Sequence, residues 1–358
     1  MSSQAVYAGQ IVTDAQTRRA KAAYAVAVLG AVLVAVVVLS LGTGAMPITP
    51  SQVVRIFLAE AGFPVDTMTT GREAAVLMTI RFPRVIAATL VGSVLAVSGA
   101  VLQGLFRNPL AGPGLIGVSS GAALAVAVSI VMFSGALTIW VLPVVAFLGS
   151  ALVTVAVYIL ATRKGRTDVA TMLLAGVAFN SIAGAGTGLM TFLADDAQLR
   201  DITFWSLGSL GGITWNTLRF SWPVMICAMI GPVFLARSLN CVLLGEQDAA
   251  HLGVPVQRLK VVSIVCVAAG VGAAVSISGS IGFVGLVAPH LVRLLLGPDH
   301  RTLLPASALL GAVLLLSADM VARTIAAPAE VPIGIVTALI GGPFFLWLLM
   351  RHRGGGHG

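Results

Sequence analysis

Charge is scarce in this chain. Asp, Glu, Lys and Arg make up 9% of its 358 residues, where a soluble domain carries about 25%. So few charges leave no means of covering a water-facing surface, and a soluble globular fold is excluded. Aromatic residues are also few, at 6%. The net charge of +8 is scattered through short polar stretches with no basic stripe interleaved with aromatics, so nucleic acid is excluded as a partner. The three cysteines, Cys227, Cys241 and Cys266, lack metal-ligand or redox spacing. Cys227 and Cys266 fall in apolar runs and read as small hydrophobes. There is no Gly-x-x-x-x-Gly-Lys-Ser/Thr loop to bind ATP, no His-Glu-x-x-His helix and no Gly-x-Ser-x-Gly elbow. No catalytic or metal-binding residue is therefore nominated. The long apolar runs hold almost no ionisable residue at their centres, which an ion-coupled carrier needs.

What the chain has is apolar length. Hydrophobic residues reach 58% and the mean hydropathy is +1.02. A helical crossing takes about 20 apolar residues, and the pattern predicts an all-α integral membrane protein of ten spans. These are residues 22–42, 82–106, 114–134, 136–161, 168–193, 214–236, 258–277, 280–297, 303–323 and 332–350. Arg18, Arg19 and Lys21 precede the first run, which at about 20 residues is longer than the apolar part of a secretory signal and reads as a retained span. With the N-terminus inside, fourteen Lys and Arg fall on the cytoplasmic side and seven outside, as the positive-inside rule requires. Both termini are then cytoplasmic, as tails 1–21 and 351–358 of a single membrane domain, 1–358.

Three features interrupt this pattern. Residues 51–60 read as an amphipathic surface helix capped by Ser51. Residues 200–212 form an amphipathic piece too short to span, suited to a half-helix dipping toward a cavity. Within the polar loop 240–256, the stretch from Gly245 to Pro255 reads as a short exposed helix: Glu246 and Asp248 lie at its start, Gly253 suits its end, and Pro255 prevents continuation. Such a helix is a rigid handle for a partner domain. Asp319 and Arg323 stand four apart, as in a helical ion pair. The glycines of span five, Gly184, Gly186 and Gly188, read as helix-packing positions. His290 is the lone candidate for membrane-embedded catalysis and reads more simply as a helix-end residue.

Gly245-Glu246-x-Asp248-Ala249-Ala250-x-Leu252-Gly253-Val254 resembles the coupling loop of type II ABC importer permeases of the FecCD type, which take up ferric siderophores, haem and cobalamin. Further likeness lies in Arg81-Phe82-Pro83-Arg84, in 103–111 and 113–121, in Gly282–His290 and in Glu330–Gly334, so the resemblance covers nearly the whole chain. It implies a ten-span permease fold in a bacterial inner membrane. It also implies a homodimer, two cytoplasmic ATPase subunits that hold ATP and Mg, and a periplasmic binding protein outside. This chain itself would bind no cofactor. Gly245, Glu246, Asp248, Ala249, Leu252 and Gly253 are then the ATPase-coupling residues, and Arg81, Arg84 and Arg323 are exposed cations that meet the binding protein. Ala194–Arg200 followed by Phe204-Trp205-x-Leu207-Gly208-Ser209 looks most like the haem-importing branch. Arg200, Phe204, Trp205 and Asn180 are placed on the substrate path, with Ser119 and Ser120 at the cytoplasmic gate. A ferric siderophore or cobalamin is the alternative cargo, an ion-coupled secondary carrier the less favoured mechanism.

Overall fold

The computed structural model describes residues 3–44, 46–64, 71–133 and 141–354. They form a helical bundle. In chain order the helices are α1 (Ser3–Gly42), α2 (Pro50–Glu60), α3 (Gly71–Val76), α4 (Phe82–Leu105), α5 (Val118–Met132), α6 (Val141–Ala161) and α7 (Val169–Leu193). There follow α8 (Asp196–Leu207), α9 (Trp215–Val242), α10 (Glu246–His251), α11 (Val256–Ser278), α12 (Val284–Leu296), α13 (His300–Ala322) and α14 (Ile333–Gly354). A two-stranded antiparallel ribbon, β1 (Thr162–Arg163) and β2 (Arg166–Thr167), joins α6 to α7. Among the described residues, seven helices are long and apolar enough to cross a membrane, and three shorter apolar ones, 118–132, 284–296 and 333–348, complete ten.

The two shortest helices depart from the predicted spans for one physical reason. Span eight was expected over 280–297, but α12 has 13 residues, about 20 Å of helix, against a hydrocarbon core of about 30 Å. The missing length is the irregular stretch 279–283. Span three is likewise a 3₁₀ turn, Pro113–Ile116, followed by the 15 residues of α5. Irregular backbone at membrane depth survives where protein encloses it. Here Ser278 O accepts from Ser209 N–H, and Gly114 O accepts from the Asn180 side chain.

Other edges shift as well. Span six, expected to end at 236, continues as helix to Val242 because Arg237, Ser238 and Asn240 extend it beyond its apolar part. The expected N-terminal tail 1–21 is helical from Ser3 and continuous with α1. Residues 134–140 and 355–358, which fall in spans three and four and in the expected C-terminal tail, lie outside the described residues. The cap of α2 is Thr49, not Ser51: Thr49 and Gln52 form a reciprocal capping box with Pro50 at the first helical position, which satisfies two end donors where Ser51 would satisfy one.

α4 is the centre, packed on α13, α9, α11 and α12. Its contacts depend on absent side chains. A Cβ on Gly92 would stand 2.4 Å from Gly311 O, and one on Gly99 would stand 1.6 Å from Gly285 O, so these helices meet backbone to backbone. The expected packing role for the span-five glycines holds only in part. Gly186 lies against Leu124, but Gly184 and Gly188 face open space within the chain. α7 is among the least covered spans, with Leu174 72% and Phe192 83% exposed.

Candidate functional site

At one end of the bundle α9 leads into α10, and local chemistry fixes that turn. Gly245 has φ +135 and Gly253 φ +83, values that disfavour any residue with a Cβ. Gly253 N–H donates to Ala250 O, and Val254 N–H to Ala249 O, the paired bonds of a Schellman C-cap. Ala249 is fully buried and anchors the helix. Glu246 Oε2 lies 2.7 Å from Lys260 Nζ, which also donates to Thr167 O at 2.7 Å. The six expected coupling residues therefore divide. Gly245, Ala249 and Gly253 shape the turn, and Glu246 ties it to α11. Asp248 and Leu252 point outward, Leu252 at 63% exposure beside Leu244 at 68%. Lys260 falls within the span expected over 258–277. Its role as the buried partner of Glu246 has no signal in local sequence, since the two are fourteen residues apart.

The charges nearest this ribbon are also ordered. Asp168 caps α7, and its carboxyl is held below the ordinary aspartate range by the Thr171 hydroxyl and then by the Thr171 N–H. Asp299 caps α13 and accepts from Asn240 Nδ2 at 2.6 Å, while Asn240 Oδ1 accepts from His300 N–H. This join between α9 and α13 was not nominated from sequence, although the polar residue before an apolar run is a legible cap.

At the opposite end the expectation of exposed arginines is corrected. Arg81, Arg84 and Arg323 are 5%, 6% and 7% exposed. Arg81 donates to the carbonyls of Leu41, Gly42 and Met46, at the end of α1. Arg84 forms a two-pronged pair with Asp319 and reaches Glu330 Oε1 at 2.8 Å. Arg323 pairs with Asp319 at 3.5 Å and donates to Ser40. Pro83 explains part of this placement. It has no N–H for the carbonyl of Thr79, and the chain widens into a π turn over Leu77–Arg81, which sets Arg81 toward α1 and Arg84 toward α13. The i,i+4 pair Asp319–Arg323 forms as the spacing predicted. Among the four charged groups of this cluster, Arg84, Asp319, Arg323 and Glu330, Glu330 alone keeps a substantially exposed side chain, at 44%.

The expected path residues are not one cluster. Arg200 and Phe204 lie one turn apart on α8 and are both exposed, Phe204 at 51%. Among the described residues Arg200 forms no ion pair, so Asp195, Asp196 and Asp201 do not neutralise it; Asp195 instead caps α8 through a box with Gln198. Trp205 is half-buried, and its carbonyl lies against Gly279. Below α8 opens a cavity of about 430 Å³ lined by Ser206, Leu207, Ser280, Phe283, Ile335 and Leu339. Ile333 N–H donates to Gly208 O, which ties α14 to the end of α8. Asn180 is elsewhere, about 13 residues or roughly 20 Å of helix before the end of α7 at Leu193. It accepts from Ser120 Oγ at 2.6 Å, with Ser119 beside it at intermediate burial. The structure thus joins Asn180 to the expected gate serine. His290 is buried against the rings of Phe344 and Phe345.

These features have counterparts in known proteins. The FecCD transport family matches residues 32–351. The hemin transport system permease protein HmuU of Yersinia pestis is 45% identical over 91% of this chain and 96% of its own length. The cobalamin import system permease protein BtuC of Halobacterium salinarum is 41% identical over 90% and 95%. A solved structure described as an inward-facing ABC transporter of suggested metal-chelate type aligns over 91% of this chain and 98% of its own, with TM-score 0.80 and 33% identity.

Proposed function

Because the chain belongs to the FecCD transport family, as an ABC importer permease, we propose that its cargo is haem and that it works as a homodimer between a binding protein outside and two ATPase subunits inside. The observation that carries the cargo is the exposed Arg200–Phe204 pair on α8 beside the 430 Å³ cavity. Haem presents a flat apolar ring and two carboxylates, and an unpaired guanidinium one turn from an aromatic face is complementary to both. The likeness to a hemin permease over nearly all of both chains supports the same reading.

The exposed faces of α7 and α14, with Gly184 and Gly188 open to the outside, are where a second copy would pack. Asp248, Leu252 and Leu244 form the surface for an ATPase subunit at the α10 end, which is then cytoplasmic with both termini. At the other end Arg84 takes a carboxylate from the binding protein only by releasing Glu330. ATP and Mg belong to the ATPase subunits, and Ser119, Ser120 and Asn180 to a constriction nearer α10.

The test is uptake into proteoliposomes holding this chain with its ATPase and binding protein. Haem is taken up in preference to cobalamin or a ferric siderophore. Arg200→Ala lowers haem uptake about tenfold, one lost charge-assisted contact at ~1.4 kcal/mol, with assembly and basal ATP hydrolysis retained. Preferential uptake of cobalamin, or haem uptake untouched by Arg200→Ala, overturns the reading.

A further inference from the structure

α9 begins at the same end as Arg84, and its first two turns carry Trp215, Arg219, Phe220 and Trp222. Trp215 is held there by a hydrogen bond from its indole N–H to Met78 O at 2.8 Å and by edge-on contact with Phe82 at 5.5 Å between ring centres. Arg219 is exposed, its guanidinium carbon 4.7 Å from the centre of the Phe220 ring. Tryptophans beside an arginine at the end of an apolar helix mark the level of lipid headgroups.

Two apolar clefts open on either side of this turn, and Arg219 lines both. One, about 520 Å³, lies between α6, α9 and α11, with Val144, Phe147, Leu148, Val224 and Ala273 on its walls. The other, about 360 Å³, lies between α4 and α9, walled by Ile86, Leu90, Leu218, Trp222 and Ile226. On the far side of Phe147, which lines both, lies a further cavity of about 230 Å³ that reaches Tyr158. From Val144 to Tyr158 along α6 is ~21 Å, more than the roughly 15 Å that one leaflet of the hydrocarbon core offers.

We propose that this turn of α9 is a binding site for one anionic diacyl phospholipid. The headgroup phosphate rests on Arg219, and the two acyl chains straddle the helix, one in each cleft. A single cation between two apolar grooves matches a molecule with one anionic head and two apolar tails. The transported chelate is a poor match, because Arg200 and the α8 cavity are lined by other elements. A second copy is a poor match as well, because it would take the Arg219 charge out of water against mostly apolar walls. A bound lipid covers Phe220, Val144 and Leu148, which the chain leaves 62%, 56% and 59% exposed.

The experiment is native mass spectrometry of the purified full-length protein, delipidated and then offered equal phosphatidylglycerol and phosphatidylcholine. The wild type retains phosphatidylglycerol about fivefold over phosphatidylcholine, the preference one arginine near the membrane surface supplies. Arg219→Gln abolishes that preference and Arg219→Lys restores it. Arg55→Gln, which removes another exposed arginine, leaves it unchanged. Val144→Trp, which fills the larger cleft from its rim, lowers retention of both lipids. An unchanged preference in Arg219→Gln overturns the proposal. So does an equal loss in Arg55→Gln, which would make the effect bulk charge, or disulfide crosslinking of two copies through Val144→Cys, which would make the face a protein interface.

Discussion

At the Arg84 end of the bundle four charged groups, from α4, α13 and the stretch before α14, are consumed within the chain: Asp319 is fully buried, and Arg84 and Arg323 converge on it. At the α10 end one buried lysine meets one carboxylate that is 36% exposed, and Asp248 and Leu252 are left facing outward. The first arrangement fixes how helices meet. A buried pair is worth keeping intact mainly because half of it is so costly. The second fixes only the root of a short helix and leaves its outer face exposed. Charge of similar amount thus serves as a clamp at one end and as a mount at the other.

Breaking the clamp has the largest expected effect. Asp319→Ala strands Arg84 and Arg323 away from water and costs ~3–5 kcal/mol, read as a lowered thermal unfolding midpoint of the purified protein. A midpoint equal to wild type would mean the cluster clamps nothing. Lys260→Met costs less, ~1–3 kcal/mol, because the half-exposed Glu246 stays hydrated. Its characteristic sign is faster hydrogen exchange across Glu246–His251, with the rest of α11 protected as before. A loss matching that of Asp319→Ala would erase the contrast between the two ends.

Glu330→Gln sharpens the comparison within the clamp itself. Arg84 keeps Asp319, and the lost partner is 44% exposed, so stability falls by ~0–1 kcal/mol and less at high salt. Binding-protein association strengthens, because Arg84 no longer has to release an internal carboxylate; weaker association would return these residues to a purely structural role. The smallest effect is at the mount. The Asp168 carboxyl is depressed in the folded chain, so its stabilisation is complete above the ordinary aspartate value of about 3.9. It is lost as pH falls through the lower folded value. Protection of the first turn of α7, taken relative to intrinsic exchange at the same pH, therefore falls on acidification in the wild type. In Asp168→Ala it is already low at neutral pH and no longer responds.

Much of this was legible in the chain. Ten apolar helices follow from hydropathy, since each segment is apolar by its own composition, although three fall short of a full crossing. The α10 turn follows from local signals, because glycine at positive φ and acids at a helix start act within a few residues. The Asp319–Arg323 pair follows from helical spacing alone. The Arg84 end did not follow. Seven outward arginines read as surface charge because a sequence shows that a cation is present and not what it meets. Asp319 and Glu330 stand 235 and 246 residues beyond Arg84. Of the short spans, the break at 279–285 was legible from glycines spaced by three, whereas 113–117 is apolar enough to pass as membrane helix, and only enclosure by α7 allows its backbone to be irregular. Likewise Asn180 and Arg200 seemed one path until the length of α7 set them apart. Composition, periodicity and capping are local properties, and they fixed the membrane, the helices and the α10 turn. Burial and pairing depend on which distant segments share a space, and only the packed bundle decided that three arginines close a clamp and that Arg219 stands between two open clefts.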